Sequence, residues 1–184
     1  MQKNRFSAFK QDTNVRRHNP KLSGHHHRMR VDVSTFLPCD LDQAIAQVRK
    51  PKILQFIAAP LVRFTPVSAA RFPDSWPEGT FWVRLHLFGL IPLGKQAIVI
   101  SMPPTKTGFA LRDDGHSRLI KTWDHLITIE PHANGSLYRD RVEVKAGVLT
   151  PFVWLFAQVF YRHRQRRWRK LAALNFNYGG RGDA

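Results

Sequence analysis

The sequence predicts an α+β domain in which an antiparallel meander of about six to seven strands is followed by one long C-terminal helix. Three observations carry that prediction. Strand-period alternation begins at Val31 and returns repeatedly after Thr80; Gly, Pro and Asp-Gly turn chemistry separates the alternating runs; and a helix-period stretch of more than twenty residues closes the chain. At 184 residues, 43% hydrophobic and 11% aromatic, the chain can bury one sizeable core.

Residues 1–30 read as a basic tail expected to be disordered, because Lys3, Arg5, Lys10, Arg16, Arg17, Lys21, Arg28 and Arg30 face only Asp12 and few apolar residues accompany them. The domain is expected to span 31–175. Val31, Val33 and Thr35 alternate with Asp32, Ser34 and Phe36 as a first strand. Asp40 then caps a helix carrying Leu41, Ala44, Ile45 and Val48. Pro51 separates a second apolar stretch, Ile53 to Val62, which Pro60 and Pro66 shorten.

Phe81 to Leu87 and Gln96 to Met102 read as strands whose apolar sets, Phe81, Val83, Leu85, Leu87 and then Ile98, Ile100, Met102, face inward. Connections are expected at Gly89, Pro92 and Gly94, at Pro103, Pro104 and Gly108, and at Asp113-Asp114-Gly115. Asn134-Gly135 reads as the central pair of a tight hairpin turn, which sets Ile129 opposite Asp140, Ile127 opposite Val142 and His125 opposite Val144. One face then holds Trp123, His125, Ile127, Ile129, Tyr138, Asp140, Val142 and Val144. The other holds Arg139, Arg141, Glu143 and Lys145, as a period of two requires.

Thr150 as N-cap and Pro151 at the first helical position start the last helix. Phe152, Leu155, Phe156, Val159 and Phe160 form its apolar stripe, weaker through Trp168, Leu171 and Leu174, and residues 176–184 are expected to fray.

Trp123-Asp124-His125-Leu126-Ile127-Thr128-Ile129, then Gly135, Tyr138 and Asp140-Arg141-Val142-Glu143-Val144, then Phe152 to Arg169 resemble the W-x-H, x-D-x-V and final-helix stretches of polyketide cyclase-like members of the START-like, or SRPBCC, superfamily. The resemblance implies the helix-grip fold, in which a curved sheet wraps the terminal helix, and an apolar small-molecule ligand, lipid- or polyketide-like, held between them. Tyr138 stands where the family often has a small Thr, which implies a narrower pocket.

The expected ligand-binding residues are Trp123, His125, Ile127, Tyr138, Asp140 and Val142 of the hairpin. Leu85, Ile98 and Ile100 of the earlier strands join them, and Phe152 and Phe156 of the helix close the other side. In the register given, Asp140 lies two residue steps beyond contact with His125, so no acid–base dyad follows. Binding is favoured over catalysis, with a cyclase- or dehydratase-like enzyme as the alternative.

Lys and Arg number 29 against 13 Asp and Glu, a formal net charge of +16 that favours polyanionic neighbours. Arg162, Arg166, Arg167 and Arg169 lie in an almost continuously basic stretch of the helix and are the expected anion-binding residues, toward anionic lipid or nucleic acid. No cofactor is expected. His25-His26-His27 would hold a metal weakly, and a single cysteine, Cys39, leaves a structural zinc set unfilled. That cysteine count and the lack of a long apolar run suggest a cytoplasmic protein without a spanning helix.

Overall fold

The computed structural model describes residues 29–178, so most of the predicted basic tail, with its three histidines, and residues 179–184 lie outside the described residues. Strand β1 (Met29–Leu37) leads through α1 (Leu41–Val48) and α2 (Pro51–Ala58) to β2 (Val62–Pro66), β3 (Gly79–Leu87), β4 (Ile91–Ser101), β5 (Phe109–Ser117), β6 (Thr122–His132) and β7 (Gly135–Lys145). A short 3-10 turn at Gly147–Leu149 then delivers the chain into α3 (Thr150–Ala173). All seven strands form one antiparallel sheet in the order β1-β7-β6-β5-β4-β3-β2. Among the described residues the first strand therefore lies beside the last, against α3.

Local chemistry explains how the three α-helices start. Asp40 Oδ1 accepts the Gln43 amide at 2.7 Å, which caps α1. Pro51 opens α2 where a missing amide donor costs nothing. Thr150 is already helical: Leu149 occupies the cap position without a side-chain bond, while Thr150 Oγ1 accepts from the Ala146 amide and donates to the Gly147 carbonyl.

The β6–β7 hairpin turns on Ala133 and Asn134, with His132 paired to Gly135, one residue before the expected pair. Ala133 takes up the left-handed backbone at φ 41°. Gly135 is required by β1 instead of by the turn, since a Cβ there would sit 2.3 Å from the Leu37 carbonyl and against the Phe36 ring. The register consequently shifts by two: Ile127 faces Asp140, His125 faces Val142 and Trp123 faces Val144. An even shift keeps every side chain on its predicted face, so Arg139 and Arg141 remain outside, where Arg139 makes a two-pronged pair with Asp32.

Three more elements differ from expectation. Of the connection expected at Gly89, Pro92 and Gly94, only Gly89 lies in the turn; β4 already includes Pro92 and Gly94, which pair with His86 and Leu85 across an irregularity in the β3–β4 ladder. Asp113-Asp114-Gly115 is no turn; β5 runs through it, and the Asp113 carboxylate accepts the Val99 amide at 2.9 Å, taking the place of a ladder bond to β4. Val62–Pro66, which starts where the expected apolar stretch Ile53 to Val62 ends, forms an edge strand beside β3.

The buried face of α3 comprises Ala157, Phe160, Tyr161, Arg164, Gln165, Trp168, Leu171 and Ala172. That face is rotated from the predicted stripe, for Phe152, Leu155 and Val159 are exposed. The polar groups Arg164 and Gln165 turn inward because they meet Asp140, and the pairing sets the rotation. Beyond the helix, Phe176 is buried against Trp168 and the Tyr178 hydroxyl bonds Gln47, so the first residues expected to fray are packed.

Candidate ligand-binding site

Between the sheet and the first half of α3 lies a cavity of about 390 Å³. Its strand wall is built from Val62, Phe64, Leu85, Leu87 and Ile98, whose inward parity follows from the alternation along β2 to β4. Its helix wall is Phe152, Val153, Phe156, Phe160 and Tyr161. Leu93, Leu119, Leu149 and Phe152 line the cavity and are also exposed, so they mark its mouth.

The inner end is polar. Gln96, Asp113, His125 and Arg164 converge there from β4, β5, β6 and α3, with Trp123 Nε1 donating to the Tyr161 hydroxyl at 3.1 Å beside them. Behind this surface sits a closed network around Asp140. Its Oδ1 lies 2.8 Å from His125 Nε2 and accepts from the Tyr138 hydroxyl at 2.9 Å, and its Oδ2 accepts from Gln165 Nε2 at 3.1 Å. Arg164 Nη2 donates to the Tyr138 hydroxyl at 3.1 Å, while Arg164 Nε stands 3.7 Å from Asp140 Oδ1 without a hydrogen-bond partner.

The charges in this network follow from geometry. Burial pushes the Asp140 carboxyl up, but the Arg164 guanidinium and the bonds from His125 and Tyr138 outweigh it and hold the carboxyl below its ordinary value. Burial, aided by Arg164, lowers the His125 imidazole, so the neutral ring is favoured. An ionised carboxylate only accepts, which places the imidazole proton on Nε2 and leaves Nδ1 as an acceptor. Asp113 is different: burial pushes its carboxyl up to about 7, against the lowering effects of the Val99 amide and Arg164. Burial raises the Cys39 thiol to about 11, which leaves it an inert core residue.

A family model described as a domain of unknown function, DUF8410, matches residues 58–172. The chain belongs to that family. No curated protein matches it. Solved structures similar to this DUF8410 chain include a START superfamily protein from Mycobacterium smegmatis, 13% identical over 79% of this chain and 98% of that one, with a TM-score of 0.52. A protein from Arthrobacter aurescens is 8% identical over 85% and 92% of the two chains, with a TM-score of 0.58. The AHSA1 protein from Silicibacter pomeroyi is 10% identical over 79% and 99%, with a TM-score of 0.52. The fold is thus the START-like helix-grip fold, a seven-stranded antiparallel sheet with its long terminal helix packed against it.

Of the predicted ligand-binding residues, Leu85, Ile98, Trp123, His125, Phe152 and Phe156 line the DUF8410 cavity. Ile127, Tyr138, Asp140, Val142 and Ile100 do not. Ile100, Ile127 and Tyr138 are buried in the core around Trp168, and Val142 packs with Val31, Val144 and α3. Asp140 is fully buried behind His125 and Arg164. The expected separation of His125 from Asp140 is corrected by the two-residue shift in register, which turns them into diagonal neighbours.

The basic helix segment divides by face. Arg164 is internal, Arg167 donates to the Phe56 carbonyl and stacks on its ring, and Arg169 donates to Thr35. Arg162 is held by Gln158, and Arg166 is exposed. Asp113, Gln96, Arg164 and Gln165 belong to the pocket or its network without being singled out for it by the sequence. Asp113 was masked by its turn-like neighbours. Arg164 had a signal, since it falls in line with Ala157, Tyr161, Trp168 and Leu171 at helical spacing.

Proposed function

We propose that this protein is a binding module that holds an apolar small molecule, lipid- or polyketide-like, between the sheet and α3. The carrying observation is the open apolar cavity of about 390 Å³ that ends on convergent polar groups, within the size range of small-molecule pockets. Burial against Leu85, Leu87, Ile98, Phe156 and Phe160 supplies affinity, at about 0.8 kcal/mol per methylene before the cost of association. Asp113, His125 and Gln96 orient a polar group at the far end. From behind, Asp140 fixes the His125 ring and compensates the Arg164 charge, and the neutral Tyr138 hydroxyl bridges Arg164 and Asp140.

Native mass spectrometry of the purified chain and thermal melting against a series of fatty-acyl and aromatic ligands test this reading. A ligand present at about 100 times its Kd adds about 2.7 kcal/mol of stability. Leu85→Trp, which obstructs the cavity, should remove that response. No stabilisation by any apolar ligand, with no co-purified molecule, would overturn the proposal.

A second reading, a cyclase- or dehydratase-like enzyme using the same pocket, is favoured by one observation. The Asp113 carboxyl, at about 7, titrates in the range suited to general acid–base work and faces the cavity. Under that reading Asp113→Asn binds ligand but loses turnover; equal turnover in the variant would dismiss it.

A further inference from the structure

We infer that the mouth of the pocket docks on the surface of anionic lipid bilayers, an inference that rests on the pocket reading for its purpose but not for its geometry. Apolar side chains that would ordinarily be covered crowd that end of the molecule. Phe88, Leu90 and Ile91 form the β3–β4 tip, with Leu90 82% exposed, and Leu93 continues the tip into the cavity wall. Leu119, from the β5–β6 connection, is 58% exposed, and Val148 before α3 is 91% exposed. Exposed apolar side chains on segments that share one cavity mouth mark an interaction site.

The exposed line of α3 adds a direction. Phe152, Leu155 and Val159 follow one another at spacings of three and four residues, and the same line continues as Arg162, Arg166 and Arg169. One solvent-facing stripe is therefore apolar beside the pocket mouth and basic farther along. Such a helix lays its apolar part among the acyl boundary groups and its arginines against phosphates.

Charge selects the partner. The segments that build this end, residues 87–95, 117–121 and 146–173, contain no Asp or Glu, while they include Lys95, Arg118, Lys121, Arg162 and Arg166. The whole chain carries +16. A second copy would bring two such cationic rims together, which repulsion opposes. An anionic bilayer complements both the charge and the apolar tips, and it presents the mouth directly to a source of apolar ligand.

The full chain mixed with large unilamellar vesicles tests this, with phosphatidylcholine alone compared with phosphatidylcholine containing about a quarter phosphatidylglycerol. Co-sedimentation with the anionic vesicles is expected, weakening as NaCl rises from about 0.1 to about 0.5 M. The variant Leu90→Asp with Leu155→Asp alters two exposed side chains that do not line the cavity. It should lose about tenfold or more of vesicle affinity while keeping the wild-type melting temperature and uptake of a fluorescent fatty acid in solution.

Wild-type vesicle affinity in that variant would overturn the docking face, as would absence of binding to either vesicle. A wild-type dimer in sedimentation velocity that the variant converts to monomer would assign the face to a second copy and also overturn it. Leu85→Trp separates the two proposals: it should block fatty-acid uptake and leave vesicle binding intact. A wild-type chain that sediments with anionic vesicles but takes up no probe would sink the pocket reading and leave the docking face standing.

Discussion

His125 Nε2 lies 2.8 Å from Asp140 Oδ1, joined diagonally across β6 and β7 with both side chains buried. The Asp140 carboxylate also compensates the Arg164 guanidinium brought in by α3, so one carboxylate ties the hairpin to the helix that covers it.

Asp140→Asn should destabilise the fold by about 3–5 kcal/mol, because it leaves the Arg164 charge buried without its counter-charge. Urea unfolding measures the loss. Arg164→Met in the same background should recover part of it, giving a double-mutant cycle whose total is well below the sum of the single changes. A strictly additive cycle would show that the two groups do not act as a pair.

Acid should weaken this network in a defined order. His125 and Asp140 both have folded values below their ordinary ones, so the unfolded chain binds more protons and their contribution is present at high pH and lost as pH falls. The His125 contribution starts to disappear as pH drops through about 6.5, its ordinary value, and Asp140 follows below about 4. Denaturation midpoints between pH 8 and pH 5 should decline less in His125→Gln than in the wild-type chain.

Asp113 carries the opposite sign. Its folded value is raised to about 7, so its contribution is most favourable below the ordinary carboxylate range and is lost as pH rises toward 7. Asp113→Asn keeps an oxygen for the Val99 amide and removes the half-buried charge. It should stabilise the protein at pH 8 on the order of 1–3 kcal/mol and do little at pH 4. Equal effects at both pH values would contradict this.

The hairpin turn offers a paired test of backbone chemistry. Gly135→Ala should cost about 1–3 kcal/mol, since the added Cβ meets the Leu37 carbonyl and the Phe36 ring. Ala133→Gly should gain about 0.5–1 kcal/mol by relieving a positive φ. Thermal melting of the two variants should move in opposite directions.

Much of this architecture was legible in local chemistry. The period of two along Trp123 to Ile129 and Tyr138 to Val144 determined which side chains face inward, and an error of two residues in register left that assignment intact. Asp40 announced its helix because a cap acts within one turn, whereas Pro51, a divider in the sequence, opens α2. The sequence also determined the charge and the apolar stock of the last helix.

Only the tertiary structure decided which face of α3 is covered. An apolar stripe at Phe152, Leu155 and Val159 competes with one that includes Arg164 and Gln165, and the choice depends on a carboxylate that approaches from β7. The same holds for Asp113, which looks like a turn residue until β4 supplies the Val99 amide. Periodicity describes one segment at a time. The energy of a buried charge depends on every segment that closes around it.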